Sequence, residues 1–122
     1  MEQIPPQVQH QLVQLQQLQQ QAESVVAQRM QMELQLKEVE RALKEVERLA
    51  GDAEVYKSVG SLLVRSEKQA VEQELRERKE TLELRLNTLK KQEEKLKAKL
   101  TEMQTKIQSA LRSRSQPQPQ GG

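Results

Sequence analysis

Cysteine, phenylalanine and tryptophan are absent from this 122-residue chain, and tyrosine and histidine occur once each, as Tyr56 and His10. Without cysteine there is no disulfide staple and no thiolate metal site, which fits a reducing compartment. Without large aromatics there is little to fill a globular core, since those side chains carry most of the bulk that a small domain buries. No apolar run approaches the ~20 residues that span a bilayer, and the N-terminus has no signal-peptide pattern, so a soluble cytoplasmic protein is the default expectation. Catalytic constellations are missing as well. The lone His10 sits in a Gln-rich stretch, no Gly-rich phosphate loop or nucleophile-base pair is present, and the carboxylates are matched by Lys and Arg. The expectation is a non-enzyme with no cofactor and no metal.

What the chain does have is heptad order. In a first run, apolar residues fall at Val8, Leu15, Ala22, Leu36, Leu43 and Ala50 and at Leu18, Val25, Met32, Val39 and Val46, broken only by Gln11 and Arg29. A second run carries Leu75, Leu82, Leu86, Leu89, Leu96, Leu100, Met103, Ile107 and Ala110, broken by Lys79 and Glu93. A period near 3.5 held this long marks a coiled-coil seam rather than the broader stripe of a globular helix.

Charge supports solvated helix faces. Twenty basic and 18 acidic residues give a net charge of +2. Many are spaced as Glu followed four residues later by a base, as in Glu33/Lys37, Glu40/Lys44, Glu72/Arg76, Glu74/Arg78 and Glu93/Lys97, each supporting a helix by a few tenths of a kcal/mol. The signs are uneven along the chain. Residues 1–35 set Glu2, Glu23 and Glu33 against Arg29, whereas residues 66–112 carry twelve basic and nine acidic groups.

Punctuation divides the chain. Residues 1–6 form an N-terminal segment ending in Pro5-Pro6, and proline at the first helical turn opens a helix expected over 7–50, with Gly51 as a left-handed stop. A second helix is expected over 67–111, with Ser66 and Gln69 as a capping box. At 1.5 Å per residue each helix would be roughly 60–70 Å long. The Ser/Gln/Pro/Gly-rich residues 112–122 read as a disordered tail. Between the helices, residues 52–66 are rich in β-branched residues and broken by Gly60-Ser61, which suits a two-residue II′ turn. That turn would set Val59 against Leu62 and Lys57 against Val64, with Val55, Val59, Leu62 and Val64 on one face. Tyr56, Ser58, Leu63 and Arg65 would share the other.

A hairpin at the junction makes the helices antiparallel. Leu43 then lies level with Leu75, Leu36 with Leu82, Ala22 with Leu96 and Leu15 with Met103. Two polar interruptions of separate seams, Arg29 and Glu93, fall within a turn of each other, and an interhelical ion pair that fixes register is expected from them. An isolated hairpin is marginal in water, so this one is expected to recruit strands from other subunits. At the opposite end, Ile4, Val8, Leu12, Val13 and Leu15, facing Met103, Ile107, Ala110 and Leu111, offer more apolar surface than a two-helix seam consumes. Such surplus is the mark of a binding surface.

The junction Asp52-Ala-Glu-Val-Tyr-Lys-Ser-Val-Gly-Ser-Leu-Leu-Val-Arg65 and the opening Ile4-Pro-Pro-Gln-Val-Gln9 with its Leu/Gln-rich continuation closely resemble the beta-type subunits of archaeal prefoldin, over residues 1 to about 112. The resemblance implies a mainly α fold: a long antiparallel two-helix coiled coil joined by a β-hairpin that assembles with other subunits into a β-barrel body. It implies an ATP-independent holdase, a hetero-hexamer of two alpha and four beta subunits, that binds unfolded proteins with coiled-coil tips and delivers them to a group II chaperonin. Mapped here, oligomerisation would fall to Val55, Tyr56, Val59, Leu62, Leu63 and Val64, and client binding to Ile4, Val8, Leu12, Val13, Ile107 and Leu111. Lys99, Lys106, Arg112 and Arg114 would be the cationic residues docking on the chaperonin. The Gln/Pro tail departs from anything the family fixes. A passive tethering coiled coil is the competing reading. A nucleic-acid-gripping arm fits poorly, because acids interrupt the basic helix and its faces lack aromatics.

Overall fold

The computed structural model describes residues 4–115, with side chains through Ser113. Expectations on residues 1–3, on the side chain of Arg114 and on residues 116–122 lie outside the described residues. The order of elements is helix α1 (Pro6–Glu47), strand β1 (Val55–Val59), strand β2 (Leu62–Ser66) and helix α2 (Lys68–Ser115).

Helix α1 opens as its two prolines dictate. Pro5 supplies the first accepting carbonyl, to the Gln9 amide at 3.0 Å, and Pro6 occupies the first helical position, where its missing N–H costs nothing. The Gln9 side-chain amide donates to the Ile4 carbonyl at 3.0 Å and ties the entering chain to the first turn. The other end differs from expectation. The helix stops at Glu47, three residues before Ala50, and Gly51 does not take a left-handed conformation, since Gly60 is the only described residue with positive φ. The Lys44 and Val46 carbonyls accept from the Arg48 and Leu49 amides at 3.3 and 3.1 Å, and the Lys68 ammonium donates to the Glu47 carbonyl at 3.4 Å and to that of Leu49, two residues beyond the helix, at 2.7 Å. A cation at a helix C-terminus satisfies orphan acceptors and opposes the negative end of the helix dipole.

The hairpin follows the expected register. Val55 pairs with Ser66, Tyr56 with Arg65, Lys57 with Val64, Ser58 with Leu63 and Val59 with Leu62. Gly60 at φ 58° followed by a serine of negative φ is the II′ geometry, whose twist matches that of the strands it joins. Because Ser66 is engaged in this ladder it does not cap α2. Glu67 does, its carbonyl accepting from the Val71 amide at 3.1 Å, and α2 begins one residue later than the capping-box pattern suggests. It runs through Ser115, past the expected end at Leu111.

Two compact units divide the chain, the first Gln28–Leu89 and the second composed of Met1–Ala27 and Lys90–Gly122. In the first, Val39, Leu43, Val55, Leu82, Leu86 and Leu89 are buried, and Met32, Leu36, Val46 and Leu75 are half-buried. Arg76 reaches across from α2 to Glu47 of α1 at 3.6 Å, as antiparallel helices require. In the second unit Val8 and Ile107 are buried, while Leu15, Leu18, Ala22, Val25, Leu96, Leu100 and Met103 are half-buried. Here Leu18 shares a depression with Met103, and Val25 shares one with Leu96, so the two stretches again run antiparallel. Among the described residues no side chain is fully enclosed. The folded chain rests on partial burial repeated many times, where a fully buried Leu would give about 1.5–3 kcal/mol.

Candidate interaction surfaces

The hairpin exposes what a soluble subunit ordinarily hides. Val55 is buried against its own unit, but Tyr56, Val59, Leu62, Leu63 and Val64 are exposed, Leu63 by 73%. Five large apolar side chains on ten strand residues leave an apolar patch with two unpaired strand edges, the arrangement most prone to pair with further strands. Polar contacts set its orientation. Lys57, the one charged residue on the Val-rich face, forms a 2.8 Å ion pair with Glu74 of α2 and so fastens that face to the helix. On the other face the Glu54 carboxylate receives the Tyr56 hydroxyl at 3.0 Å and Arg65 at 3.2 Å, bracing a cross-strand pair. These pairs are exposed and contribute modestly to stability. Lys57 ties one face of the hairpin to α2, and Glu54 braces Tyr56 on the other.

The six residues expected to contact clients are divided by the structure. Ile4, Leu12, Val13 and Leu111 are exposed, whereas Val8 is 4% and Ile107 6% exposed, both taken up by the seam of their own unit. Val8 and Ile107 belong to the heptad series, and Leu12 and Val13 do not, which is the physical reason for the division. Gln11, the polar break next to this seam, has its Oε1 shielded with no hydrogen-bond partner among the described residues.

Lys99, Lys106 and Arg112 are exposed on α2, Lys106 paired with Glu102 at 3.4 Å. Arg114 lies within α2, its side chain outside the described residues. Arg29 and Glu93 occupy seam positions in different units. Arg29 donates to Glu33 at 2.9 Å, and Glu93, the one buried charged residue among those described, pairs with Lys97 at 3.2 Å. No group of three or more His, Cys, Asp or Glu able to hold a metal ion occurs among the described residues. No helix among them is long and apolar enough to cross a membrane.

The pattern gave no warning of three features. Lys68 as the cap of α1 depends on a contact across the junction that no local spacing reports. Leu34 and Leu84, both strongly exposed, and Met30 lie off the seam on the outer helix faces, where sequence periodicity assigns polar residues. The third is a groove in the unit that holds the chain ends. It occupies about 410 Å³ and is lined by Gln21, Ser24, Val25, Gln92, Lys95, Leu96 and Lys99.

Two long antiparallel helices around an apolar seam, with a two-stranded hairpin inserted at their junction and left apolar on its outside, define a class of helical-hairpin assembly subunits. The family model described as "Prefoldin subunit" matches residues 9–114, and the chain belongs to that family. It is 48% identical to the prefoldin subunit beta of Methanothrix thermoacetophila over 119 residues, covering 98% of this chain and 97% of that one. With the prefoldin subunit beta of Thermococcus kodakarensis it shares 52% identity over 112 residues, 92% of this chain and 96% of the relative. The crystal structure of the prefoldin beta subunit from Thermococcus strain KS-1 superposes with a TM-score of 0.84 at 52% identity, covering 92% of this chain and 98% of that chain. The beta2 subunit from the same strain shares the fold, with a TM-score of 0.67 at 23% identity. The expected mainly α architecture with its hairpin is therefore the observed one, and the chain is a prefoldin-type chaperone subunit that assembles with other prefoldin subunits.

Proposed function

We propose that this chain is a subunit of an ATP-independent cytoplasmic holdase, a hexamer of two alpha and four beta subunits, that holds unfolded proteins at its helix ends and passes them to a group II chaperonin. The observation that carries the reading is the placement of exposed apolar residues at two sites of different kind. One site is the hairpin, where Tyr56, Val59, Leu62, Leu63 and Val64 lie on strands whose outer edges are unpaired and, with Val55, supply a β-barrel body. The other is the helix ends, where Ile4, Leu12, Val13 and Leu111 are exposed amid uncharged glutamines. Val8 and Ile107, buried in the seam of the same unit, back that client surface. Arg29 and Glu93 form the pair that sets helix register, and Lys99, Lys106, Arg112 and Arg114 dock on the chaperonin. Weak contacts at each end suffice, because several ends on one body raise the effective concentration of the next contact.

Deleting residues 1–12 and 106–122 tests this. The shortened chain should still assemble with an alpha-type partner, as read by native mass, while losing suppression of aggregation of an unfolded enzyme. Undiminished protection by the shortened assembly would leave only the tethering role.

A further inference from the structure

The groove lined by Gln21, Val25, Leu96 and Lys99 is longer than a single depression. A second one, lined by Gln14, Gln17, Leu18, Gln21 and Met103, shares Gln21 with it, and both lie within the unit that holds the chain ends. Together they form a strip whose apolar lining is Leu18, Val25, Leu96 and Met103, half-buried seam residues that still reach its surface. Its polar lining on α1 is Gln14, Gln17, Gln21 and Ser24, of which Gln14 and Gln21 belong to a glutamine series that recurs every seven residues at positions 7, 14, 21, 28 and 35. On α2 the lining ends in Lys95 and Lys99, one helical turn apart and following Lys91 by a further turn. Neither Lys95 nor Lys99 has an ion-pair partner among the described residues, whereas Lys97 and Lys106 on the same helix are matched by Glu93 and Glu102. The strip lacks a carboxylate of its own.

Each part of this lining has a chemical complement. Primary amides donate and accept, and so match the free N–H and C=O groups of an extended backbone. An apolar floor takes aliphatic side chains. Two unmatched ammonium groups a turn apart call for carboxylates. A nucleic-acid strand would meet the cations but would find no aromatic side chain to stack on, since the chain's single aromatic is Tyr56 in the hairpin.

We infer that this strip is a binding site for extended peptide segments in which aliphatic and acidic residues are interspersed, with Lys95 and Lys99 selecting for the acid. The inference rests on the holdase reading, since an unfolded chain is the source of such segments, and it adds a preference to it. The site is separate from the exposed apolar residues at the helix ends, and those need not discriminate by charge.

The test uses the full chain assembled with an alpha-type partner and three labelled peptides, each alternating leucine with aspartate, asparagine or lysine, read by fluorescence anisotropy. The aspartate peptide should bind about three- to tenfold more tightly than the asparagine peptide, as two solvent-exposed charge contacts allow. The lysine peptide should bind weakest. Lys95→Gln with Lys99→Gln should erase the difference between aspartate and asparagine while leaving helix content unchanged. Leu12→Gln with Val13→Gln and Leu111→Gln should keep it. An assembly that suppresses aggregation but binds the three peptides equally overturns the inference alone. An assembly that neither suppresses aggregation nor binds any of them overturns the holdase reading as well. Displacement of the aspartate peptide by a single-stranded oligonucleotide at comparable concentration would assign the cations to nucleic acid and overturn the inference.

Discussion

Arg29 and Glu93 show how much one residue can be asked to do in a chain with so little core. Both stand where the heptad asks for an apolar side chain, and both are shielded enough that an uncompensated charge would be expensive. Each has a local partner four residues away, Glu33 for Arg29 and Lys97 for Glu93. If these local pairs were all that mattered, the two residues would contribute independently. The register proposal requires coupling. Thermal midpoints of Arg29→Ala, Glu93→Ala and the double variant should therefore depart from additivity, with an interaction energy in the range of about 0.5–3 kcal/mol. Additive losses would assign both side chains to their own helix and remove the pair as a register device. Lys68 makes the opposite case, a residue with an ordinary place in a Glu/Lys pattern that nevertheless reaches the end of another helix, donating to the Glu47 carbonyl and to that of Leu49 just beyond it.

Among the elements, the hairpin separates stability from assembly. Leu63 is largely exposed within the subunit, so Leu63→Asp removes almost no burial and should leave the helix content of the isolated chain unchanged and its unfolding free energy within about 0.5 kcal/mol of the parent. The same substitution places a charge in the proposed intersubunit sheet, and size-exclusion chromatography with light scattering should show the assembly lost. A Leu63→Asp chain that still assembles would show that this face of the hairpin takes no part in the body. Sequence gave the hairpin away because its determinants are local: Gly60-Ser61 admits few turn types, and a two-residue turn leaves no freedom of register to Val59, Leu62, Lys57 and Val64. The seam was legible for the same reason, as every heptad position from Val8 to Val46 is at least half-buried. Helix ends were less so. Gly51 carried the usual mark of a stop, yet α1 ends before it, where the Leu49 amide turns back to the Val46 carbonyl and Lys68 donates to the Glu47 and Leu49 carbonyls. At the far ends of the helices the pattern revealed a surplus of apolar residues, and the heptad series divides them: Val8 and Ile107 stand on it and are buried, whereas Leu12 and Val13 stand off it and are exposed.

For the molecule as a whole, the uneven distribution of charge becomes the question of what the basic end of α2 meets. A net charge of +2 is too small for long-range steering, so any docking by cations must come from a local cluster. Lys99 and Lys106 differ within that cluster. Lys106 already shares Glu102 at 3.4 Å, and Lys99 has no ion-pair partner among the described residues. A partner's carboxylate would therefore gain more from Lys99 than from Lys106, whose existing pair must be given up or shared. Lys99→Gln should weaken binding to a group II chaperonin more than Lys106→Gln does, by a few-fold each in surface plasmon resonance. Both effects should shrink as salt rises from ~0.1 M to ~1 M, across which the Debye length falls from about 10 Å to about 3 Å. Affinity that does not change with salt would mean that the subunit meets the chaperonin through its apolar ends, with the α2 cations left to other ligands.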